Sequence, residues 1–152
     1  MSERAERRAR GRVKHDPGRA ELIERMLTGA PFHRWLGLRL IEVTEEGVEI
    51  ALPWREELVA HPKRLYTHGG IIASLVDLTA DLAIVAAFGR DVPTVDLRVD
   101  YHRATVKEEL RAVGRVIKIG RTLATAEAVI YNPDDRLVAS GRGVFITQKV
   151  GG

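Results

Sequence analysis

The sequence predicts an α+β fold in which a curved antiparallel sheet wraps around one long central helix. Residues 71–88 are almost entirely apolar, and a helix without a polar face has to be enclosed by the rest of the protein. The strands predicted after this helix are joined by turns too short for parallel crossovers. One of these strands has an alanine-rich face that a helix backbone could approach closely. We expect one domain over residues 18–150, a usual length for a single hydrophobic core.

The first half of the chain predicts a short helix and two strands. Residues 20–27 carry apolar side chains at helical spacing, and Gly29 and Pro31 end this helix. Two strands and a loop are predicted next, at 37–43, 47–53 and 54–67.

The second half predicts the central helix and four strands. The helix covers residues 70–88, and Gly89 fits the left-handed position that follows a last helical turn. In residues 94–101 apolar and polar side chains alternate, as in a strand with one exposed face. Three further strands are predicted at 109–119, 122–132 and 137–147.

Charge separates a basic tail from a nearly neutral domain. The formal charge is +3, but residues 1–15 hold six of the 24 basic and two of the 21 acidic residues, which leaves −1 for the rest. We predict a disordered basic tail over residues 1–17, without the apolar segment of a secretory signal. It is too poor in apolar residues for a helix-turn-helix, so neither nucleic acid nor a membrane is an expected partner; a role on either is the less favoured interpretation.

Two features that the sequence lacks limit the reactions and metal sites that we expect. The chain has no cysteine, which excludes disulfides, thiolate metal sites and cysteine nucleophiles, and which suggests a cytoplasmic protein. No two histidines lie three or four residues apart, so no metal is expected. Asp77 and Asp81 would each cost about 2.5–3.5 kcal/mol to insert into a membrane, and the apolar run is therefore interpreted as a buried helix.

A glycine turn and a carboxylate form the candidate active site. Gly69 and Gly70 leave backbone N–H groups free at a helix start, where they favour negative charge. A carboxylate is costly to bury, so we expect Asp77 to have a function in the helix. It can act as a general base or as a nucleophile. The alternative is a core aspartate satisfied by hydroxyl groups. Asp81 lies one helical turn after Asp77 and is either a catalytic group or a residue that faces water or another helix. Repulsion between the two carboxylates should raise the pKa of one of them.

The order of these motifs resembles a known family. His68-Gly69-Gly70 with Asp77 seven residues after Gly70, then PTVDLRVDY and GRTLATAEA, is similar to the hotdog-fold acyl-CoA thioesterases of the phenylacetate-degradation and thioesterase-superfamily type, over residues 30–147. The resemblance implies an enzyme that hydrolyses an acyl-CoA thioester to a free acid and coenzyme A and needs no cofactor. A non-catalytic acyl-CoA-binding or regulatory module is the alternative. A hydratase or dehydratase on the same fold would need a histidine–carboxylate pair.

The resemblance also implies roles for individual residues. The N–H of Gly69 would bind the thioester carbonyl, Asp77 would act as base or nucleophile, and Thr94 would assist it. Coenzyme A would lie along residues 101–106 and 118–123. The expected contacts to substrate or coenzyme A are Gly70, Tyr101, Arg103, Lys118 and Arg121, of which the basic ones either bind phosphate or are simply solvated.

Two histidines are further candidates. His68 is either a base or, as we expect, a brace for the glycine turn. Relatives carry Asn-Pro six residues before this histidine, where the present chain has Pro62. With a one-residue insertion His61-Pro62 would replace Asn-Pro, so His61 is either a substitute hydrogen-bond donor or an ordinary loop residue.

Helix geometry predicts an active site shared by two chains. Asp77 lies eight residues after Gly69, about 12 Å along a helix axis, so one carbonyl group cannot contact both within one chain. If both act, a partner chain must supply one of them. We therefore expect a homodimer, or a tetramer built as a dimer of dimers, with shared active sites.

Overall fold

The computed structural model describes residues 17–44 and 46–149. The predicted basic tail lies outside the described residues, apart from Pro17, which begins the first helix. The helices are α1 (Pro17–Gly29), α2 (Pro31–Leu36) and α3 (Gly69–Phe88). The strands are β1 (Arg39–Val43), β2 (Gly47–Leu52), β3 (Thr94–Tyr101), β4 (Leu110–Ile119), β5 (Leu123–Tyr131) and β6 (Leu137–Ile146).

The six strands form one antiparallel sheet in the order β1-β2-β4-β5-β6-β3. The sheet curves around α3, which contacts β2 to β6. The predicted fold class is confirmed. Every predicted helix and strand is present, with ends that differ by three residues or fewer. The predicted loop at 54–67 contains one short 3-10 turn, Glu56–Leu58, and single-residue β-bridges at Val59, Tyr66 and Thr67.

Small residues allow α3 to lie directly on the sheet. Ala124, Ala126 and Ala128 of β5 are at most 1 % exposed, as their alternation predicted. A Cβ atom at Gly114 in β4 would lie 2.3 Å from the carbonyl oxygen of Thr79 in α3. The helix backbone therefore touches the strand where no side chain intervenes.

The sheet accounts for the apolar character of α3. By length and composition alone this helix could cross a membrane. Most of it is buried inside the protein, and Leu75, Leu82 and Ile84 are completely covered. The apolar surface that a membrane would cover is covered by strands instead.

Helix α2 was not predicted. Pro31, interpreted as the end of the preceding helix, lies in the first turn of α2, where its missing N–H costs no hydrogen bond. Gly37 ends α2 in the left-handed conformation at φ 71°, and its N–H donates to the carbonyls of His33 and Arg34. One proline thus separates two helices and starts the second.

Strand β3 forms an edge of the sheet and pairs only with β6. Its alternating pattern predicted one covered face, yet only Leu97 and Val99 are partly covered. Val95, which lies at a β-bulge, and Tyr101 are 54 % and 55 % exposed. A single chain therefore leaves this edge and part of its apolar face open.

Candidate active site

The turn before α3 presents one free backbone N–H group. His68 caps the helix, because its Nδ1 accepts a hydrogen bond of 2.8 Å from the N–H of Gly70. His68 therefore braces the turn, and a catalytic role for it stays a prediction. Within the described part of the chain, no acceptor takes a hydrogen bond from the N–H of Gly69. This donor at the positive end of the helix is available to a ligand.

Tyr101 holds the same turn from the edge strand. Its hydroxyl group donates to the carbonyl oxygen of Gly69 at 2.7 Å. No pattern in the sequence indicated this contact, because it joins residues 32 positions apart. The role of Tyr101 in binding coenzyme A stays a prediction, and the hydrogen bond gives it a positioning role in addition.

Asp77 and Thr94 are brought together at the middle of α3. The hydroxyl of Thr94 donates to Oδ1 of Asp77 at 2.8 Å. The nearby hydroxyls of Ser74 and Thr79 donate instead to backbone carbonyls of the helix. Oδ2 of Asp77 has no hydrogen-bond partner among the described residues. The carboxylate is therefore oriented by one hydroxyl and keeps one oxygen free.

A cavity of about 150 Å³ opens beside Asp77. Its wall includes Phe32 and His33 from α2, Asp77 and Asp81 from α3, Val92 in the loop after α3, and Thr94 at the start of the edge strand. The two residues of α2 were not predicted as site residues, because α2 itself was not predicted. The Gly-Ala-Pro sequence at residues 29–31 is the one signal that could have indicated a second helix there.

Asp81 is buried on the wall of this cavity. Its pKa is raised to about 7, chiefly because burial disfavours the charged form; the backbone N–H of Val92 lowers the pKa, and the charges of Asp77 and Asp91 raise it. Its Oδ1 is buried and has no hydrogen-bond partner. The predicted rise in pKa for one of the two aspartates is thus found at Asp81, which faces the cavity rather than open water.

His61 stabilises its own loop. Its Nδ1 accepts hydrogen bonds from the backbone N–H groups of Lys63 and Arg64, at 3.1 and 3.3 Å. Only Nε2 is left to contact a substrate, and that role of His61 stays a prediction. In the described ranges, no three His, Asp or Glu side chains lie close enough to bind a metal ion.

The basic residues expected to bind phosphate lie at opposite ends of the sheet. Arg103 follows the end of β3 that lies beside Ala139, whereas Lys118 and Arg121 flank the β4–β5 turn beside Ile146. Ala139 and Ile146 are about 23 Å apart along β6, at the usual rise of a strand. One chain does not bring these three cations together.

Comparison with known proteins identifies the family. The family model described as the thioesterase superfamily matches residues 66–139, from the glycine turn into β6. The predicted esterase VNG_1336C of Halobacterium salinarum is 31 % identical over 137 residues, which cover 83 % of this chain and 90 % of that protein. The medium/long-chain acyl-CoA thioesterase YigI of Escherichia coli strain K12 is 28 % identical over 131 residues, 76 % of this chain and 84 % of that protein. The chain belongs to the thioesterase superfamily.

Solved structures agree with this assignment. An X-ray structure of a thioesterase-superfamily protein is 43 % identical, covers 86 % of this chain and 98 % of its own, and superposes with a TM-score of 0.83. PaaI from the phenylacetic acid degradation operon of E. coli is 20 % identical over 89 % of this chain and 95 % of its own, with a TM-score of 0.77, a likeness of fold. The hotdog fold implied by the sequence resemblance is confirmed.

Proposed function

We propose that this protein hydrolyses an acyl-CoA thioester to a free carboxylic acid and coenzyme A. The observation that carries the proposal is the Asp77 carboxylate, which Thr94 holds at 2.8 Å on the wall of a cavity. Membership of the thioesterase superfamily supports hydrolysis as the reaction. The name of the relative YigI, an acyl-CoA thioesterase, supports coenzyme A as the acyl carrier.

Asp77 activates the group that attacks the thioester. Because Thr94 occupies Oδ1, Oδ2 is left either to take a proton from water or to attack the carbonyl carbon itself. In the first route the new C–O bond displaces the thiolate of coenzyme A, which then takes up the proton. In the second route the attack displaces the thiolate and forms an anhydride with Asp77, and water hydrolyses the anhydride.

The N–H of Gly69 stabilises the negative charge that develops on the carbonyl oxygen. It lies at the start of a 20-residue helix and has no competing acceptor among the described residues. In other hydrolases, one such donor lowers the activation free energy of the reaction by about 2.7–4 kcal/mol. His68 and Tyr101 keep the turn in place through the hydrogen bonds to Gly70 and Gly69.

The reaction requires two chains. Gly69 and Asp77 of one chain are about 12 Å apart along α3, too far to act on one carbonyl group. A two-fold axis beside the open edge of β3 would place the helix start of one chain near Asp77 of the other. The same axis would bring Arg103 toward Arg121 of the second chain, where both can contact the phosphates of coenzyme A. The cytoplasmic location and the absence of a cofactor stay predictions.

A panel of acyl-CoA substrates with detection of the released thiol tests the proposal. The wild-type protein should release coenzyme A, and the D77N variant should lose at least about 100-fold in kcat, since an amide has nearly the same shape but cannot accept the proton. Asp134 lies in the exposed turn after β5 and does not line the cavity, so D134N is the matched control and should retain wild-type kcat.

Two results would contradict the proposal. If no acyl-CoA is hydrolysed but acyl-CoA still binds, the non-catalytic binding module is the better description. If D77N turns over at the wild-type rate, Asp77 has no part in the reaction.

A further inference from the structure

A second cavity continues from the active-site cavity. It has a volume of about 580 Å³ and lies between α1, the start of α2 and the loop that follows α3. Its apolar side chains are those of Leu22, Met26, Ala30, Val92 and Pro93. His33, Asp81 and Val92 line both cavities. Asp81 therefore stands at the junction between the two.

A long acyl chain held at Asp77 would pass Asp81 on its way into the second cavity. The two aspartates are one helical turn apart, about 6 Å along the axis. An extended butanoyl chain ends short of this distance, whereas a decanoyl chain extends beyond it. The second cavity offers apolar surface in this direction, on the side of Asp77 away from the glycine turn.

The carboxyl group of Asp81 is poorly compensated as an anion. Its Oδ1 is buried and has no partner, and the Val92 backbone N–H is the hydrogen-bond donor that acts on it. An apolar chain at the junction would remove the remaining water. An isolated carboxylate in apolar surroundings is far more costly than the neutral acid, so an apolar chain and a charged Asp81 oppose each other.

The charged groups that face Asp81 do not stabilise its negative charge. Asp77 on α3 and Asp91 in the following loop are both acidic. Arg90 lines the second cavity, but its guanidinium donates to a backbone carbonyl near the end of β6. The Nδ1 of His33 is bound to a backbone carbonyl of α1 at 2.8 Å, so only Nε2 remains for the cavities. No Lys, Arg or His in the described part of the chain forms an ion pair with Asp81.

We propose that Asp81 determines the acyl-chain selectivity of the enzyme. As a neutral acid it admits a long apolar chain into the second cavity, and as a carboxylate it restricts the enzyme to short acyl groups. This inference rests on the proposed thioesterase function and adds to it a substrate class that depends on pH.

The test compares kcat/KM for decanoyl-CoA and butanoyl-CoA between about pH 6 and about pH 8. The ratio of the two cancels any effect of pH on the common chemical step. For the wild type the decanoyl-to-butanoyl ratio should fall about tenfold, because the neutral fraction of an acid with a pKa of about 7 falls by that factor. In D81N, which is neutral at every pH, the ratio should stay constant. D81S provides a second neutral side chain if D81N folds poorly.

The exposed Asp134 again provides the control. D134N makes the same chemical change at a residue that lines neither cavity, and its ratio should fall as in the wild type. A wild-type ratio that does not change with pH overturns the proposal. A ratio that still falls in D81N also overturns it, because the pH dependence would then come from a group other than Asp81.

Failure of the proposed function gives a different result. If the wild type hydrolyses neither substrate, the thioesterase proposal fails while the cavity is still tested. Titration calorimetry of the same two acyl-CoAs should then show the same tenfold change in the ratio of dissociation constants for the wild type and none for D81N. Equal pH dependence in both proteins would reject the role of Asp81.

Discussion

At the scale of single residues, the chemistry depends on which oxygen of Asp77 is free. The Thr94 hydroxyl donates to Oδ1 at 2.8 Å, which in the proposed reaction leaves Oδ2 to meet the reacting group in a defined orientation. Thr94 itself transfers no proton in the proposed reaction. Its contribution is positional, and it is separable from the charge of Asp77 by mutation.

T94V removes the hydroxyl and keeps the shape of the side chain. We expect kcat to fall by about tenfold to a hundredfold, since a hydrogen bond to a charged group is worth about 1.5–3 kcal/mol. The measurement is steady-state hydrolysis of one acyl-CoA beside T125V, the same change on β5, whose hydroxyl has no part in the site. Wild-type kcat in T94V would show that the hydrogen bond does not orient the base.

Asp81 should make the stability of the protein depend on pH. Its folded-state pKa of about 7 lies above the ordinary value of 3.8, so the folded state binds the proton more tightly than the unfolded state. The contribution of Asp81 to the free energy of unfolding is therefore most favourable at acidic pH and is lost as the pH rises toward about 7. The Tm difference between D81N and the wild type should grow in favour of D81N between about pH 5 and pH 7 and then level off. A constant difference would mean that Asp81 is not buried as an acid.

The residues of the site were predictable to different degrees. The glycine turn and Asp77 are local signals, because a helix start and a carboxylate in an apolar run are visible in the sequence. The contact of Thr94 with Asp77 followed only from the family resemblance, since it joins residues 17 positions apart. Phe32 and His33 reach the cavity through the packing of α2 on the rest of the fold, which no pattern in the sequence specifies.

At the scale of elements, α3 lies directly on the sheet at Gly114. A Cβ there would lie 2.3 Å from a backbone oxygen of Thr79 and 3.0 Å from its methyl group, so the helix would have to move. That helix carries Asp77, and a shift of α3 would therefore also disturb the site.

G114A should destabilise the fold by about 1–3 kcal/mol, the usual cost of an added methyl in a packed core. Urea denaturation measures this loss. At Gly29, which ends α1, an added methyl group would meet no atom within 4 Å, so G29A is the matched control and should not lose stability. Equal stability of the two variants would contradict the close packing of α3 on β4.

Periodicity predicted the elements well where one face of the chain is buried. The alanine face of β5 and the apolar α3 are examples, because both meet the core of their own chain. It was less informative for β3, whose alternation suggested a covered face that one chain only partly provides. The short α2 was missed because Pro31 marks both the end of one helix and the start of the next.

At the scale of the whole molecule, we propose that the active site is shared by two chains. The open edge of β3, the two distant groups of cations and the 12 Å between Gly69 and Asp77 along α3 all leave a single chain incomplete. A two-fold dimer would complete the site twice, once on each side of the axis.

Complementation between two inactive variants tests this claim most directly. G69P removes the N–H group at the start of α3, where proline is tolerated, and its Cβ would lie 3.5 Å from the Tyr101 ring, an ordinary contact. His68 already has a backbone that precedes proline readily, at φ −60° and ψ 134°. D77N removes the base. Each variant alone should be inactive toward acyl-CoA.

Unfolded and refolded together in equal amounts, the two variants should recover about a quarter of wild-type activity. Random pairing makes half of the dimers mixed, and each mixed dimer has one site with both an intact Gly69 and an intact Asp77. Mass spectrometry of the intact assembly measures the fraction of mixed dimers. Recovery near a quarter would support the shared site, whereas no recovery with mixed dimers present would place the whole site within one chain and contradict a shared site.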